Sequence, residues 1–110
     1  MLAKKHIINP NDWRRPGKSV KSPKQMERHL KGVANHWRIE ILFLVANNKG
    51  ITVEDIAERL NCNFKTISEH TRKLDQTGLI RKKYKGRTVT HELSPYGQNF
   101  YKFIRTFQHS

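Results

Sequence analysis

Two short helical patterns lie only three residues apart in the middle of the chain. Each repeats inward-facing side chains at helical spacing: Val53, Ile56, Ala57 and Leu60 in the first, Ile67, Thr71 and Leu74 in the second. The link is Asn61-Cys62-Asn63; Asn63 is suited to cap the second helix, which spans about 64–77 and is closed by Gly78. Two helices joined by so short a link, the second polar on one face, predict a helix-turn-helix.

The periodicity changes immediately after the second helix. Side chains alternate as they do in strands, first on Ile80, Lys82 and Tyr84 and then on Val89, His91 and Leu93. Between the two runs lies Lys85-Gly86, where glycine can adopt the positive φ of a hairpin turn. We therefore predict a two-stranded hairpin that makes the helix-turn-helix winged.

Three further helical segments complete the predicted domain, residues 23–110. The first follows Ser22-Pro23, the second runs from about His36 to Ala46 behind Asn35, and the last covers about 95–107. The second is apolar on nearly every side, which is typical of a buried central helix. Thr52 and Ser94 are the expected caps of the third and the last helix. The predicted class is mainly α with a small β-hairpin, in the order α-α-α-α-β-β-α.

Positive charge is concentrated at the two ends of the sequence. The formal net charge of +13 divides into +5 over residues 1–22, +2 over 23–78 and +6 over 79–110. Such an excess favours polyanions as partners, with nucleic acid first and acidic membrane surfaces second. Residues 1–22 carry no helical stripe and are expected to be a mostly disordered basic arm. Either the arm is solvated, with Trp13 resting on the domain, or it touches DNA through Arg14 and Arg15.

The second helix of the pair is the candidate recognition helix. Lys65, Thr66 and Ser68 lie at its N-terminal end, where base edges are contacted in a helix-turn-helix complex. Six basic side chains on this helix and the hairpin are the expected phosphate or minor-groove contacts: Arg72, Arg81, Lys82, Lys83, Lys85 and Arg87.

Four side chains of this helix leave alternatives open. Lys65 contacts a guanine or is merely solvated, and the Thr66 hydroxyl contacts a base or bonds to its own backbone. Glu69 accepts from cytosine N4 or pairs with Arg72 or Lys73 one turn on. Phe64 touches a thymine methyl or packs at the helix start.

From Leu30 to Leu93 the sequence resembles the ArsR-type winged-helix repressors. The resemblance is carried by four segments: Leu30 to Leu42 (LKGVANHWRIEIL), Asp55 to Leu60 (DIAERL), Thr66 to His70 (TISEH) and Lys73 to Ile80 (KLDQTGLI), with the wing at Lys85-Gly86-Arg87. It implies that His70, which matches a histidine of the family's recognition helix, neighbours a base or phosphate.

The same resemblance implies an obligate homodimer on an imperfect palindrome. In the family the first and last helices form the interface, here Met26, Leu30, Val33, Tyr96, Phe100, Phe103 and Phe107. Independently, five of the ten aromatic residues lie within 96–107, which favours a dimer seam over packing within one core.

The chain departs from the metal-sensing members of that family. Val53-Glu54-Asp55 stands where they carry a Cys-x-Cys cluster, and the last helix offers only His109 near its end. We therefore expect no metal and no cofactor. Around His70, the family's usual Arg and Leu are Glu69 and Thr71 here.

Other classes of protein are disfavoured. The longest apolar run, Ile41 to Ala46, is far shorter than the roughly 20 residues of a membrane helix, and the N-terminus lacks an apolar signal core. A single cysteine, Cys62, forms no intrachain disulfide and is expected as buried filler. These features favour the cytoplasm and association with the nucleoid. No Gly-rich phosphate loop, HExxH motif or Ser-His-acid order indicates an enzyme.

The leading hypothesis is thus a sequence-specific DNA-binding regulator, a repressor, acting as a homodimer. The alternatives are a nonspecific architectural DNA-binding protein and a winged-helix module that binds protein or RNA.

Overall fold

A computed structural model describes residues 20–110, which form five helices and one antiparallel hairpin. The elements in chain order are α1 (Pro23–Val33), α2 (His36–Asn47), α3 (Val53–Leu60), α4 (Phe64–Gln76), β1 (Ile80–Lys85), β2 (Thr88–Leu93) and α5 (Pro95–Gln108). Their number, type and order confirm the predicted fold class. Residues 1–19 of the arm, including Trp13, Arg14 and Arg15, lie outside the described residues.

Each helix begins at a polar side chain that accepts from the free amides of the first turn. Ser22 and Gln25 form a reciprocal capping box, and Asn35 accepts from the next helix at 2.9 and 3.2 Å. Thr52, Asn63 and Ser94 do the same for α3, α4 and α5. The N-cap expected at each of these positions is confirmed, and the boundaries follow from them.

Helix α2 supplies the centre of the core. Ile41, Leu42 and Val45 are almost fully buried, and the inward faces of α3, α4 and the hairpin close over them. The prediction that α2 is buried on nearly every side was too strong, because Trp37, Ile39 and Leu44 remain half-buried. A chain this short does not have enough elements to surround one helix completely.

Close contacts at two glycines fix the terminal helices against this core. A Cβ on Gly97 of α5 would lie 1.9 Å from the carbonyl oxygen of Leu79, and one on Gly32 of α1 would lie 2.2 Å from Oγ1 of Thr77. Beside Gly32, the buried His29 donates from Nδ1 to the Thr77 carbonyl at 2.7 Å. Both terminal helices are therefore fixed against the segment that joins α4 to the hairpin.

The hairpin pairs Ile80 with Leu93 and Lys85 with Thr88, and Gly86 at its turn has φ +62°. Ile51 adds a single bridge to His91 from the loop before α3. This bridge holds the base of the hairpin beside the helix-turn-helix. Within residues 20–110, no helix combines the length and apolar character that a membrane crossing requires.

Candidate DNA interface

Helix α4 presents one face to the core and the opposite face to solvent. Ile67, Thr71 and Leu74 are buried, whereas Lys65 and Arg72 are exposed on the far side. Thr66 and Ser68 lie at the two edges of the exposed face and are half-buried. The fold therefore brings three of the four expected base contacts to the N-terminal end of one accessible helix face.

The contacts at the start of α4 bear on the alternatives that the sequence leaves open for Thr66 and Phe64. Within residues 20–110 the Thr66 hydroxyl makes no bond to its own backbone, so it is available to a partner. The Phe64 ring is 52% exposed, at the edge of a cavity of about 450 Å³ that Lys82 and Arg87 also line. Packing at the helix start therefore covers only part of this ring.

Cys62, in the link before α4, is half-buried and packs against the core. It is thus less buried than the filler residue that the sequence predicts.

The His70 ring is hydrogen-bonded to an arginine that the sequence pattern did not single out. Arg38 of α2 donates from Nη1 to Nδ1 of His70 at 3.1 Å. Because a guanidinium only donates, Nδ1 carries no proton and the neutral ring carries its proton on Nε2. Burial and the Arg38 charge lower the pKa of His70 below its ordinary 6.5; the Glu69 carboxylate opposes them.

The same guanidinium binds the C-terminal end of α1. Its Nε donates to the Gly32 carbonyl at 2.7 Å and its Nη2 to the Lys31 carbonyl at 3.3 Å. Arg38 thus satisfies carbonyls that the last turn of α1 leaves open and also contacts the recognition helix. Its helical position alone gave no signal of this role, because the partners lie 6 to 32 residues away in sequence.

The wing divides its cations between two faces. The register places Arg81 opposite Glu92 and Lys82 opposite His91, so these neighbouring cations project to opposite sides. On one side Arg81 and Lys83 lie 3.6 and 3.4 Å from the Glu92 carboxylate. On the other side Lys82 lies 4.0 Å from Asp75 of α4.

Glu92 is the centre of a cationic cluster, and sequence reasoning did not identify it. Lys49, from the loop after α2, approaches it at 3.7 Å and completes a set of three cations around one carboxylate. Burial alone would raise the pKa of Glu92, but Lys83, Lys49 and Arg81 hold that pKa below its ordinary value of 4.5. Arg81 and Lys83 therefore keep an internal counterion, which their place in the charge run did not indicate.

The tip of the wing is exposed. Lys85 and Arg87 are exposed and have no carboxylate partner within residues 20–110. Tyr84 beside them is 72% exposed. Among the five predicted wing cations, these two are the best placed to approach a phosphate.

The expected dimer residues form a largely apolar surface on α1 and α5. Met26, Leu30, Tyr96, Phe103 and Phe107 are exposed, and Phe100 is half-buried. Phe103 and Phe107 stack with ring centroids 6.0 Å apart, beside a shallow cavity of about 310 Å³ lined by Leu30 and Phe100. Val33 was wrongly assigned to this surface: it is 6% exposed and belongs to the protomer's own core, because the end of α1 turns toward α2.

No group of three or more metal-ligating side chains occurs in the described part of the chain. Six histidines are present in the sequence, but two of them, His29 and His91, are buried and bonded to backbone carbonyls through Nδ1. The expectation of no metal site remains a prediction.

Comparison with solved structures identifies the architecture. The fold matches HlyU from Vibrio cholerae with a TM-score of 0.71 at 23% identity, over 79% of this chain and 95% of that one. It matches a possible ArsR-family transcriptional regulator from Mycobacterium bovis, described as a homodimeric winged helix-turn-helix DNA-binding domain (TM-score 0.71, 22% identity, 84% and 91% covered). The protein has a winged helix-turn-helix fold.

Sequence comparison finds a match to a family other than the expected one. The MarR family matches residues 35–85, somewhat under half of the chain. An ArsR-like transcriptional regulator from Rhodococcus matches in structure with a TM-score of 0.64 at 21% identity, over 78% of this chain and 76% of that one. Curated protein sequences gave no match. The winged-helix prediction is therefore confirmed, while the narrower ArsR assignment stays a prediction.

Proposed function

We propose that this protein is a DNA-binding transcriptional regulator, a repressor, that acts as a homodimer on an imperfect palindrome and has no catalytic role. The observation that supports this most strongly is the pairing of two features in one fold. A capped helix with an exposed polar face, α4, lies beside a hairpin whose tip carries cations without internal partners. The named structural neighbours include transcriptional regulators and a DNA-binding domain.

Two kinds of DNA contact are assigned to this surface. We expect base edges to be contacted by Lys65, Thr66, Ser68 and the Nε2–H of His70 when α4 lies in the major groove. We expect phosphates to be contacted by Arg72, Lys85 and Arg87. Lys82, Arg81 and Lys83 would add long-range attraction from beside their carboxylates. Arg14 and Arg15 remain candidates for additional contacts from the arm.

Dimerisation is supported by the apolar surface of α1 and α5. Large exposed side chains concentrated on two terminal helices are unfavourable in water unless another surface covers them. A two-fold interface would cover this surface on both protomers and place two recognition helices on one face of the duplex. We infer that the protein acts in the cytoplasm, on nucleoid DNA, and needs no cofactor or metal.

Four alanine variants test the division between base and phosphate contacts. Lys65→Ala and Ser68→Ala should weaken binding to a selected site by about 5- to 100-fold and leave binding to random duplex nearly unchanged. Lys85→Ala and Arg87→Ala should weaken binding to both duplexes alike and flatten the salt dependence. Fluorescence anisotropy at several salt concentrations measures all of these; equal losses on both duplexes for all four variants would overturn the assignment.

A nonspecific architectural DNA-binding role is the second candidate, favoured by the net charge of +13 in so small a chain. It predicts that wild type binds all duplexes of one length equally. A protein- or RNA-binding module would instead show no salt-sensitive affinity for duplex DNA.

A further inference from the structure

The exposed face of the recognition helix carries one carboxylate, that of Glu69. At 100° per residue it lies opposite the buried Ile67 and Leu74, and it is exposed. Lys65 lies one turn before it and Arg72 one turn after it on the same face. If α4 enters the major groove as proposed above, Glu69 enters with it.

This carboxylate has no cationic partner within residues 20–110. The spacing predicts a pair with Arg72 or Lys73, but neither lies within 4.0 Å of Glu69. Other acids of the chain do pair, such as Glu27 with Lys31 at 3.2 Å and Glu92 with three cations. No cation within residues 20–110 therefore occupies the Glu69 oxygens, and they can accept hydrogen bonds from a bound partner.

A carboxylate at this position is unfavourable for nonspecific DNA binding. It lies among phosphates, loses water on contact and repels the polyanion. Only a donor on a base edge can compensate for these losses. In the major groove the donors are the exocyclic amines of cytosine and adenine, and a carboxylate, which only accepts, is the usual partner of cytosine N4.

We propose that Glu69 is a specificity-determining residue that accepts a hydrogen bond from the N4 amine of one cytosine in each half-site. This inference rests on the proposed function, since it requires α4 in the major groove. It gives the basic surface a preference: the cations attract any duplex, and Glu69 rejects those that lack the amine. The neighbouring Lys65 donates to guanine N7 and O6 in the same half-site.

Variants of Glu69 separate charge from base recognition. With a selected site and its variants in anisotropy, Glu69→Ala should bind the cognate site about 5- to 100-fold more weakly relative to random duplex. Glu69→Gln should shift its preference from cytosine toward adenine, because an amide bonds adenine N6 and N7 together. Glu69→Asp keeps the charge but shortens the reach, and should also lose the preference.

The control is Glu58→Gln, which removes one exposed acidic charge from the adjacent helix α3. It should strengthen binding to all duplexes alike, without a change in preference. A duplex with 2-pyrimidinone in place of the cytosine, which lacks the N4 amine, should reduce the affinity of wild type but not of Glu69→Ala. Circular dichroism verifies that every variant is folded.

The outcomes separate the two proposals. If wild type prefers a site and Glu69→Ala binds every duplex more tightly with that preference intact, the inference about Glu69 is overturned and the proposed function stands. A preference of wild type for adenine at the position affected by Glu69 would equally overturn the cytosine assignment. If wild type shows no preference at all, the proposed function itself fails.

Discussion

Replacement of Phe103 by alanine tests the proposed dimer seam. This ring lies on α5, stacks on Phe107 and is 60% exposed in the protomer. It lies across a shallow cavity from Leu30 of α1, so a partner would have to contact both helices. The substitution removes apolar area that only a second copy would bury, and it leaves the protomer's own core unchanged.

The magnitude follows from the exposed area. A buried aromatic residue covers about 200 Å², so 60% exposure leaves about 120 Å² to be covered by the partner. At about 25 cal/mol per Å² this amounts to about 3 kcal/mol per protomer, of which alanine keeps about a third. The symmetric dimer loses this twice, about 4 kcal/mol, which raises its dissociation constant by about 10³-fold.

Sedimentation equilibrium of wild type and Phe103→Ala measures this shift directly. Tyr84→Ala is the matched control, because Tyr84 is 72% exposed but lies on the wing. The dimer dissociation constant of this variant should equal that of wild type. Phe103→Ala should also bind a palindromic site more weakly than wild type does, and a single half-site with the same affinity as wild type. A wild type that stays monomeric at about 100 μM, or a variant that dimerises like wild type, would refute the seam.

Three further predictions concern single side chains of the fold. Gly97→Ala should lower the free energy of unfolding, measured by urea titration, by about 2–3 kcal/mol, because its Cβ would lie 1.9 Å from the Leu79 carbonyl oxygen. An unchanged urea midpoint would contradict this close contact. Thr71→Val should raise stability by about 1 kcal/mol, because the buried hydroxyl has no partner within residues 20–110; a loss would show that the hydroxyl is bonded. Wild type should lose more stability than His70→Asn as pH falls from about 7.5 to about 5. Burial and Arg38 lower the pKa of His70 below 6.5 in the folded protein, so the unfolded chain binds more protons over this range. Free energies of unfolding that fall in parallel for the two proteins would exclude this linkage.

The fold was predictable from the sequence because its determinants are local. Each helix begins at a cap whose side chain reaches an amide two or three residues away, as with Asn35 and Thr52. The glycines at 78 and 86 adopt positive φ where the helix ends and the hairpin turns. Such contacts need no knowledge of the tertiary packing, so the pattern of caps and apolar spacing was sufficient.

The details of the interface were less predictable because they depend on distant contacts. Glu92 gathers Lys49 from the loop after α2, and Arg38 reaches His70 over 32 residues. Neither pair follows from spacing along a helix. Local spacing also left two alternatives open for Glu69. The ion pair one turn on is not formed within residues 20–110, although the same spacing does pair Glu27 with Lys31, because exposed ion pairs gain too little free energy to form at every such spacing.

In vitro selection of bound duplexes from a random pool, at low and at physiological salt, tests the proposed function most directly. Sequence-specific dimeric binding predicts enrichment of a pseudo-palindrome with half-sites centred about 10 base pairs apart, containing the cytosine assigned to Glu69, and persisting at the higher salt. Recovery of an unenriched pool whose binding disappears with salt would contradict it.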